Sequence, residues 1–163
     1  MKKLEINTTL TVYDSVSELS KEQKELMIKA VNIRTKANAP SSTFKIWVAL
    51  ELENGEVVLG TNQENAVFPS GMCAERVAIN QAGTLYPGVK ILNLFVSAAS
   101  DNFAVLTPTP PCGGCRQAIF EYEENQNQPI AIYFMGETGK VVKADSVKDL
   151  LPLTFGKATL NLI

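Results

Sequence analysis

The order of elements in this 163-residue chain predicts an α/β fold, a mixed β-sheet covered on both faces by helices. Three observations carry that prediction. Apolar runs of strand length recur at Phe44–Leu52, Val57–Thr61, Ile91–Ser97 and Ile130–Phe134. Stretches with helical apolar spacing stand before and between them. Asn54-Gly55, a strong hairpin turn signal, joins two of the runs, so the sheet contains an antiparallel pair.

Ile6 to Tyr13 alternates roughly apolar and polar and reads as a strand. Ser20 can cap the helix that follows, with Gln23 completing a capping box. From Lys21 to about Lys36, Leu26, Ala30, Ile33 and Ala37 recur at helical spacing. Asn38 to Ser42 is a loop, and the hairpin of Phe44–Leu52 and Val57–Thr61 follows it. After a loop holding Asn62, Glu64 and Asn65, a helix begins near Met72 and runs to about Gly83, with Val77, Ala78 and Ala82 as inward candidates. Ile91–Ser97 is apolar enough to be a central strand. A proline-bearing loop, Ala98 to Pro111, leads into a helix from Gly113 to about Glu124. Ile130–Phe134 is a further strand, and Gly136-Glu137-Thr138-Gly139 turns it towards Val141-Val142. A short last helix is expected from Ser146 to Leu151, ended by Pro152. Strand–helix–strand crossovers in such a sheet are right-handed by default.

Composition narrows the chemistry. One domain spanning 1–163 is the simplest expectation at this length, and a chain of this size needs no disulfide to hold a core. The net charge of −2, from 15 basic and 17 acidic residues, argues against a large polyanionic partner such as nucleic acid. Three cysteines cannot all pair within one chain. No signal-peptide pattern and no membrane-length apolar run is visible, so a reducing cytoplasm is the expected setting. The chain has no histidine. That excludes a Ser-His-Asp triad, a Cys-His pair and every histidine-ligated metal site, and leaves neutral-pH proton transfer to a carboxylate, lysine, tyrosine or metal-bound water.

The cysteines fall in two short stretches, Cys73-Ala74-Glu75 and Pro111-Cys112-Gly113-Gly114-Cys115. Three thiols suggest a zinc ion with one open position, since catalytic zinc keeps three protein ligands and structural zinc is usually closed with four. Both stretches sit at expected helix starts, where the helix dipole favours the thiolate form. Three thiolates on a divalent ion leave a formal charge of −1, which weakens acidification of a bound water; two helix N-termini and Arg76 can offset it. A lone Cys-x-x-Cys is more often half of a structural zinc site or a redox pair, and a lone cysteine is more often a small buried hydrophobe. It is the conjunction, with no fourth Cys or His to close the site and a spare carboxylate at Glu75, that points to catalysis.

The pair of stretches matches the zinc nucleobase deaminase signature in its three-cysteine form. From about Ala39 to Leu160 the chain resembles the small homotetrameric cytidine deaminases, most strongly in Cys73-Ala74-Glu75-Arg76 and Pro111-Cys112-Gly113-Gly114-Cys115-Arg116-Gln117. Asn62-Gln63-Glu64-Asn65-Ala66 resembles that family's nucleoside-binding segment, and Leu150 to Gly156 its C-terminal segment. The resemblance implies a three-layer α/β/α fold with a mixed five-stranded central sheet, and residues 1–19 as an N-terminal extension that adds a strand or wraps the surface. It implies zinc (Zn2+) held by Cys73, Cys112 and Cys115, proton transfer by Glu75 and charge neutralisation of the thiolates by Arg76. Asn62 and Glu64 would bond the ribose 3′-hydroxyl, Phe44 would line the pyrimidine pocket, and Phe155 would reach the base in a neighbouring subunit. Without the cysteine context, Asn62 and Glu64 read as a capped polar loop, Phe44 and Phe155 as core or interface aromatics, and Arg76 as a solvated helix residue.

The activity so implied is hydrolytic deamination of cytidine and 2′-deoxycytidine to the uridines and ammonia, in pyrimidine salvage, by a cytoplasmic homotetramer. The alternatives are a deaminase of another amino-heterocycle, such as a blasticidin-type antibiotic, and a non-catalytic zinc-stabilised binding protein. The chain departs from the family pattern at Ser41, where Tyr is usual, and at Trp47, where Gly is usual and a Trp needs compensating space.

Overall fold

Hydrophobic alternation along the central strands sets the architecture seen in the computed structural model, which describes residues 1–161; the expected domain span of 1–163 runs two residues beyond them. The strands are β1 (Thr11–Tyr13), β2 (Phe44–Leu52), β3 (Val57–Thr61), β4 (Ile91–Ser100), β5 (Ala131–Met135) and β6 (Val141–Ala144). The helices are α1 (Lys21–Asn32), α2 (Ala74–Leu85) and α3 (Gly113–Gln126). The strands form one mixed sheet in the order β1-β6-β5-β4-β2-β3. Only β4 and β5 run parallel; the other neighbours are antiparallel.

The sheet has six strands rather than the expected five. The extra strand comes from the N-terminal segment: Thr11, Val12 and Tyr13 pair with Lys143, Val142 and Val141. The strand read from Ile6 shrinks to Thr11–Tyr13 because β6 offers only Val141–Ala144 before the chain turns at Ser146.

Strand alternation separates two cores. In β2, Val48, Leu50 and Leu52 face α2 and α3, together with Leu94, Val96, Ile132 and Phe134 from β4 and β5. Trp47 and Ala49 face α1, which packs Leu26, Met27 and Ala30 against them. The layers are therefore α1, the sheet, and the α2–α3 pair, as the α/β/α expectation requires.

The Trp47 ring finds its space from its neighbours. It is fully buried on the α1 face and is flanked across the sheet by Thr61 and Ser97, both small. Arg34 lies over the ring, 5.6 Å from its centre, and is itself paired with Glu137. The indole Nε1 has no hydrogen-bond partner among the described residues.

Local signals account for the helix ends. Ser20 Oγ accepts from the Gln23 amide while Gln23 Oε1 accepts from the Ser20 amide, the expected capping box. α1 stops at Asn32, short of the expected Lys36, and a single 3-10 turn (Arg34–Lys36) continues it; Val31, Asn32, Ile33 and Thr35 are weak helix formers. α2 starts at Ala74, two residues later than expected, and buries Ile79 where Val77 was the candidate. The last helix is reduced to one 3-10 turn, Val147–Asp149, capped by Ser146. Gly60 of β3 lets α2 come close: a Cβ there would stand 2.3 Å from the Ala74 carbonyl oxygen and 2.8 Å from the Ala78 nitrogen. That contact seats the first turn of α2 directly on the sheet.

Candidate active site

Two helix N-termini meet at the sites of the cysteines. Cys73 is the N-cap of α2 and Cys112 the N-cap of α3, both with extended backbone and neither using its side chain as a cap. A Ser or Asp in these places would turn inward to bond the free amides of the first turn; a thiol leaves its sulfur available to the space between the helices. Cys115, one turn into α3, is fully buried. The three Sγ atoms lie within 4.8 Å of one another, with Cys73–Cys112 at 3.8 Å and Cys112–Cys115 at 3.4 Å. Ligand sulfurs about 2.3 Å from a tetrahedral zinc stand roughly 3.8 Å apart, so the sulfur triangle fits that ion. It is also the one group of three or more potential ligands of this kind found among the described residues.

The electrostatics suit thiolate chemistry. Hydrogen bonding from the Cys115 thiol holds Cys73 down to about 5 against the cost of burial, and Arg76 and Cys112 add to the effect. Cys115, the donor to that thiolate, is pushed up in turn. Arg76 Nη2 lies 3.9 Å from Cys73 Sγ, and the guanidinium is held more firmly charged by it. Both dipoles point their positive ends at the sulfurs.

Glu75 occupies the first turn of α2 and is 2% exposed. Its Oε2 has no hydrogen-bond partner among the described residues. Burial, joined by the Cys73 charge, raises its carboxyl above the usual range. A buried carboxylate oxygen without a partner costs stability unless something else uses it. Raised in this way, the carboxyl holds a proton more readily than an ordinary carboxylate does, which suits general acid–base work.

Beside the sulfurs opens a cavity of about 600 Å³, and Phe44, Asn62, Glu64, Cys73 and Arg76 all line it. The backbone explains the meeting. Gln63 and Met72 exchange two amide–carbonyl bonds of 2.9 Å, which clamps the loop after β3 to the residue before Cys73. Asn38 accepts from Glu64 and donates to Asn62, closing the other side of that loop.

Asn62 is buried and ties β3 to β2: its Oδ1 accepts from the Ile46 amide at 2.8 Å and its Nδ2 donates to the Phe44 carbonyl at 2.9 Å. Glu64 accepts from the Ser41 amide at 2.8 Å and from the Ser42 hydroxyl and amide. The Ser42 hydroxyl, with the Ser41 amide, holds its carboxyl below the usual range. Phe44 carries Phe103 against it, with ring centres 6.4 Å apart.

Phe155 lies apart from this cavity. Its ring is exposed, and its carbonyl accepts from Gln117 Nε2 at 2.7 Å. Trp47 is likewise absent from the cavity, on the opposite face of the sheet, whereas Ser41 lines it. Ser42 escaped the sequence reading; the only signal for it was its place in the Ser41-Ser42-Thr43 run before β2. Ile46, Phe68 and Met72, which also line the cavity, carry no signal that separates them from ordinary core and loop residues.

Comparison with known proteins agrees with this geometry. Residues 20–128 match the family model described as the cytidine and deoxycytidylate deaminase zinc-binding region. The chain is 30% identical to a cytidine deaminase of Halalkalibacterium halodurans over 85% of its own length and 98% of that protein's. It is 36% identical to a cytidine deaminase of Mycoplasma pneumoniae over 71% of its own length and 80% of the relative. Its fold superposes on the crystal structure of a cytidine deaminase from Burkholderia pseudomallei with a TM-score of 0.69, at 31% identity, covering 84% of this chain and all of that one. The three-cysteine centre, the α/β/α sheet around it and these likenesses agree: the chain belongs to the zinc-binding cytidine and deoxycytidylate deaminase family.

Proposed function

We propose that this protein hydrolyses the exocyclic amino group of cytidine and 2′-deoxycytidine, giving uridine or 2′-deoxyuridine and ammonia, as one zinc-dependent domain over 1–163. The observation that carries the reading is the buried carboxylate of Glu75, whose Oε2 has no partner among the described residues, close to a triangle of three sulfurs of which Cys73 lines an open cavity. A structural metal site has no use for such a carboxylate, which weighs against a binding protein without catalysis.

Cys73, Cys112 and Cys115 hold the zinc, which when bound supplies a Lewis acid that makes water a usable nucleophile at neutral pH. Glu75 takes a proton from the attacking water and passes it to N3 of the cytosine ring. The same carboxylate then takes the remaining proton from the hydroxyl now on C4 and delivers it to the amino group, which leaves as ammonia as the C4 carbonyl forms. Arg76 offsets the excess thiolate charge next to Cys73. Phe44 packs on the base, and Asn62 and Glu64 hold the ribose 3′-hydroxyl. Glu64 is already fixed by Ser41 and Ser42, so its carboxylate is pre-oriented before a ligand arrives. That ribose-binding pair favours a nucleoside over the antibiotic-type heterocycle.

Phe155, exposed and outside the cavity of its own chain, is suited to complete the site of a neighbouring subunit in a homotetramer. No helix among the described residues is long and apolar enough to cross a membrane. We place the enzyme in the cytoplasm, in pyrimidine salvage. Incubating the purified zinc-loaded protein with cytidine, deoxycytidine, cytosine and dCMP, and measuring ammonia, tests the proposal. Release from the two nucleosides is expected; no release from any of the four refutes it.

A further inference from the structure

Arg116 and Gln117 directly follow the last candidate ligand, and the chemistry above uses neither. Arg116 lies in the first turn of α3 and is partly buried. Its Nε donates to the Pro111 carbonyl at 2.8 Å and its Nη1 to the Leu150 carbonyl at 2.7 Å. No carboxylate among the described residues pairs with it. A full cation bonded to two backbone carbonyls makes strong, charge-assisted bonds, and both fall on chain segments that lack regular structure of their own.

The Pro111 carbonyl belongs to the peptide unit that enters Cys112. Cys112 is exposed, makes no side-chain cap bond and ends a long loop, so its own side chain does little to fix it. Holding that peptide plane fixes the direction in which the N-cap thiol leaves the backbone. We infer that Arg116 is a positioning residue for the metal centre, pinning the Pro111–Cys112 peptide against the C-terminal segment so that Cys112 Sγ stands beside Cys73 and Cys115. The inference rests on reading those three cysteines as the zinc ligands. Arginine suits the place because its planar fork reaches two acceptors in fixed directions, which a lysine ammonium does not.

Gln117 supplies an internal control. Its Nε2 donates to the Phe155 carbonyl at 2.7 Å, so it ties down the same C-terminal segment without touching Pro111. If Arg116 acted only by anchoring that segment, losing Gln117 would have the same effect on the metal.

The test is zinc affinity by competition with a chromogenic chelator, on the full chain carrying Arg116→Gln, Gln117→Ala or Cys112→Ala, with thermal unfolding of the metal-free proteins alongside. Arg116→Gln is expected to weaken zinc binding by about tenfold or more, the usual effect of losing a group that orients a ligand. Gln117→Ala is expected to leave it within about twofold, and Cys112→Ala to weaken it far beyond either. The metal-free Arg116→Gln and Gln117→Ala chains are expected to unfold alike. If the arginine variant does not fold, Arg116→Lys carries the test, with an expected loss of about three- to tenfold. Parental zinc affinity in the Arg116 variant, while Cys112→Ala has lost it, overturns the positioning role. So does an equal loss in Gln117→Ala. Parental affinity in Cys112→Ala overturns the ligand reading itself, and the inference falls with it.

Discussion

The two faces of the sheet are built from alternate residues of the same strands and do opposite work. On the α1 face, Trp47, Ala49, Phe95 and Tyr133 pack against Leu26, Met27 and Ala30, and Phe95 stacks on Tyr133 with ring centres 4.6 Å apart. On the other face, small residues such as Gly60, Ala74 and Ala78 draw α2 close to the sheet. There the helix starts bring together three thiols and a buried carboxylate whose Oε2 has no partner among the described residues. One face is given to packing, at the cost of the unpartnered Trp47 Nε1; the other gathers the groups that a metal centre uses. Changes to the two faces should therefore separate cleanly in their effects.

The largest effect is expected at the sulfurs. Cys112→Ala should lose its zinc, measured by metal analysis, and all deaminase activity with it; unchanged metal content would remove Cys112 from the ligand set. Glu75→Gln should fold and keep its zinc but lose about 10²–10⁴-fold in kcat, because it removes proton transfer while nearly keeping shape. Full turnover in that variant would break the assignment of Glu75.

Trp47→Ala probes the opposite face. It should lose about 3–5 kcal/mol of stability by denaturant unfolding, while zinc content and KM stay at the parental values. A raised KM with unchanged stability would mean that Trp47 serves the site across the sheet. The smallest effect is expected from Ser42→Ala, which frees one oxygen of Glu64. One lost hydrogen bond corresponds to a rise of about two- to tenfold in KM for cytidine, with kcat unchanged. No change in KM would mean that the clamp on Glu64 does not prepare the ribose site.

The metal centre was legible in the sequence because its information is local. All three cysteines and Glu75 lie in two short stretches, and the absence of histidine left one arrangement of ligands. The helix starts were equally readable, since a cap depends on residues three or four positions away. The hydrogen bonds around the cavity were not, because their partners are remote: Glu64 is held by Ser41 and Ser42, and Asn62 by Phe44 and Ile46, from another strand and loop. Trp47 could have been assigned to the far face by parity alone, since Phe44 and Ile46 are even-numbered positions of β2 and Trp47 is odd. The sixth strand was partly visible in the alternation from Ile6, but only the pairing partner, four residues of β6, decides that three residues join the sheet.

The central claim is that one face of this sheet builds a zinc-dependent deaminase. Ammonia release from cytidine, followed in the parent protein before chelation, after removal of the metal and after zinc is restored, tests it most directly. The account predicts release that disappears with the metal and returns with it. Release that is indifferent to the chelator, or absent from the zinc-loaded protein, would contradict it.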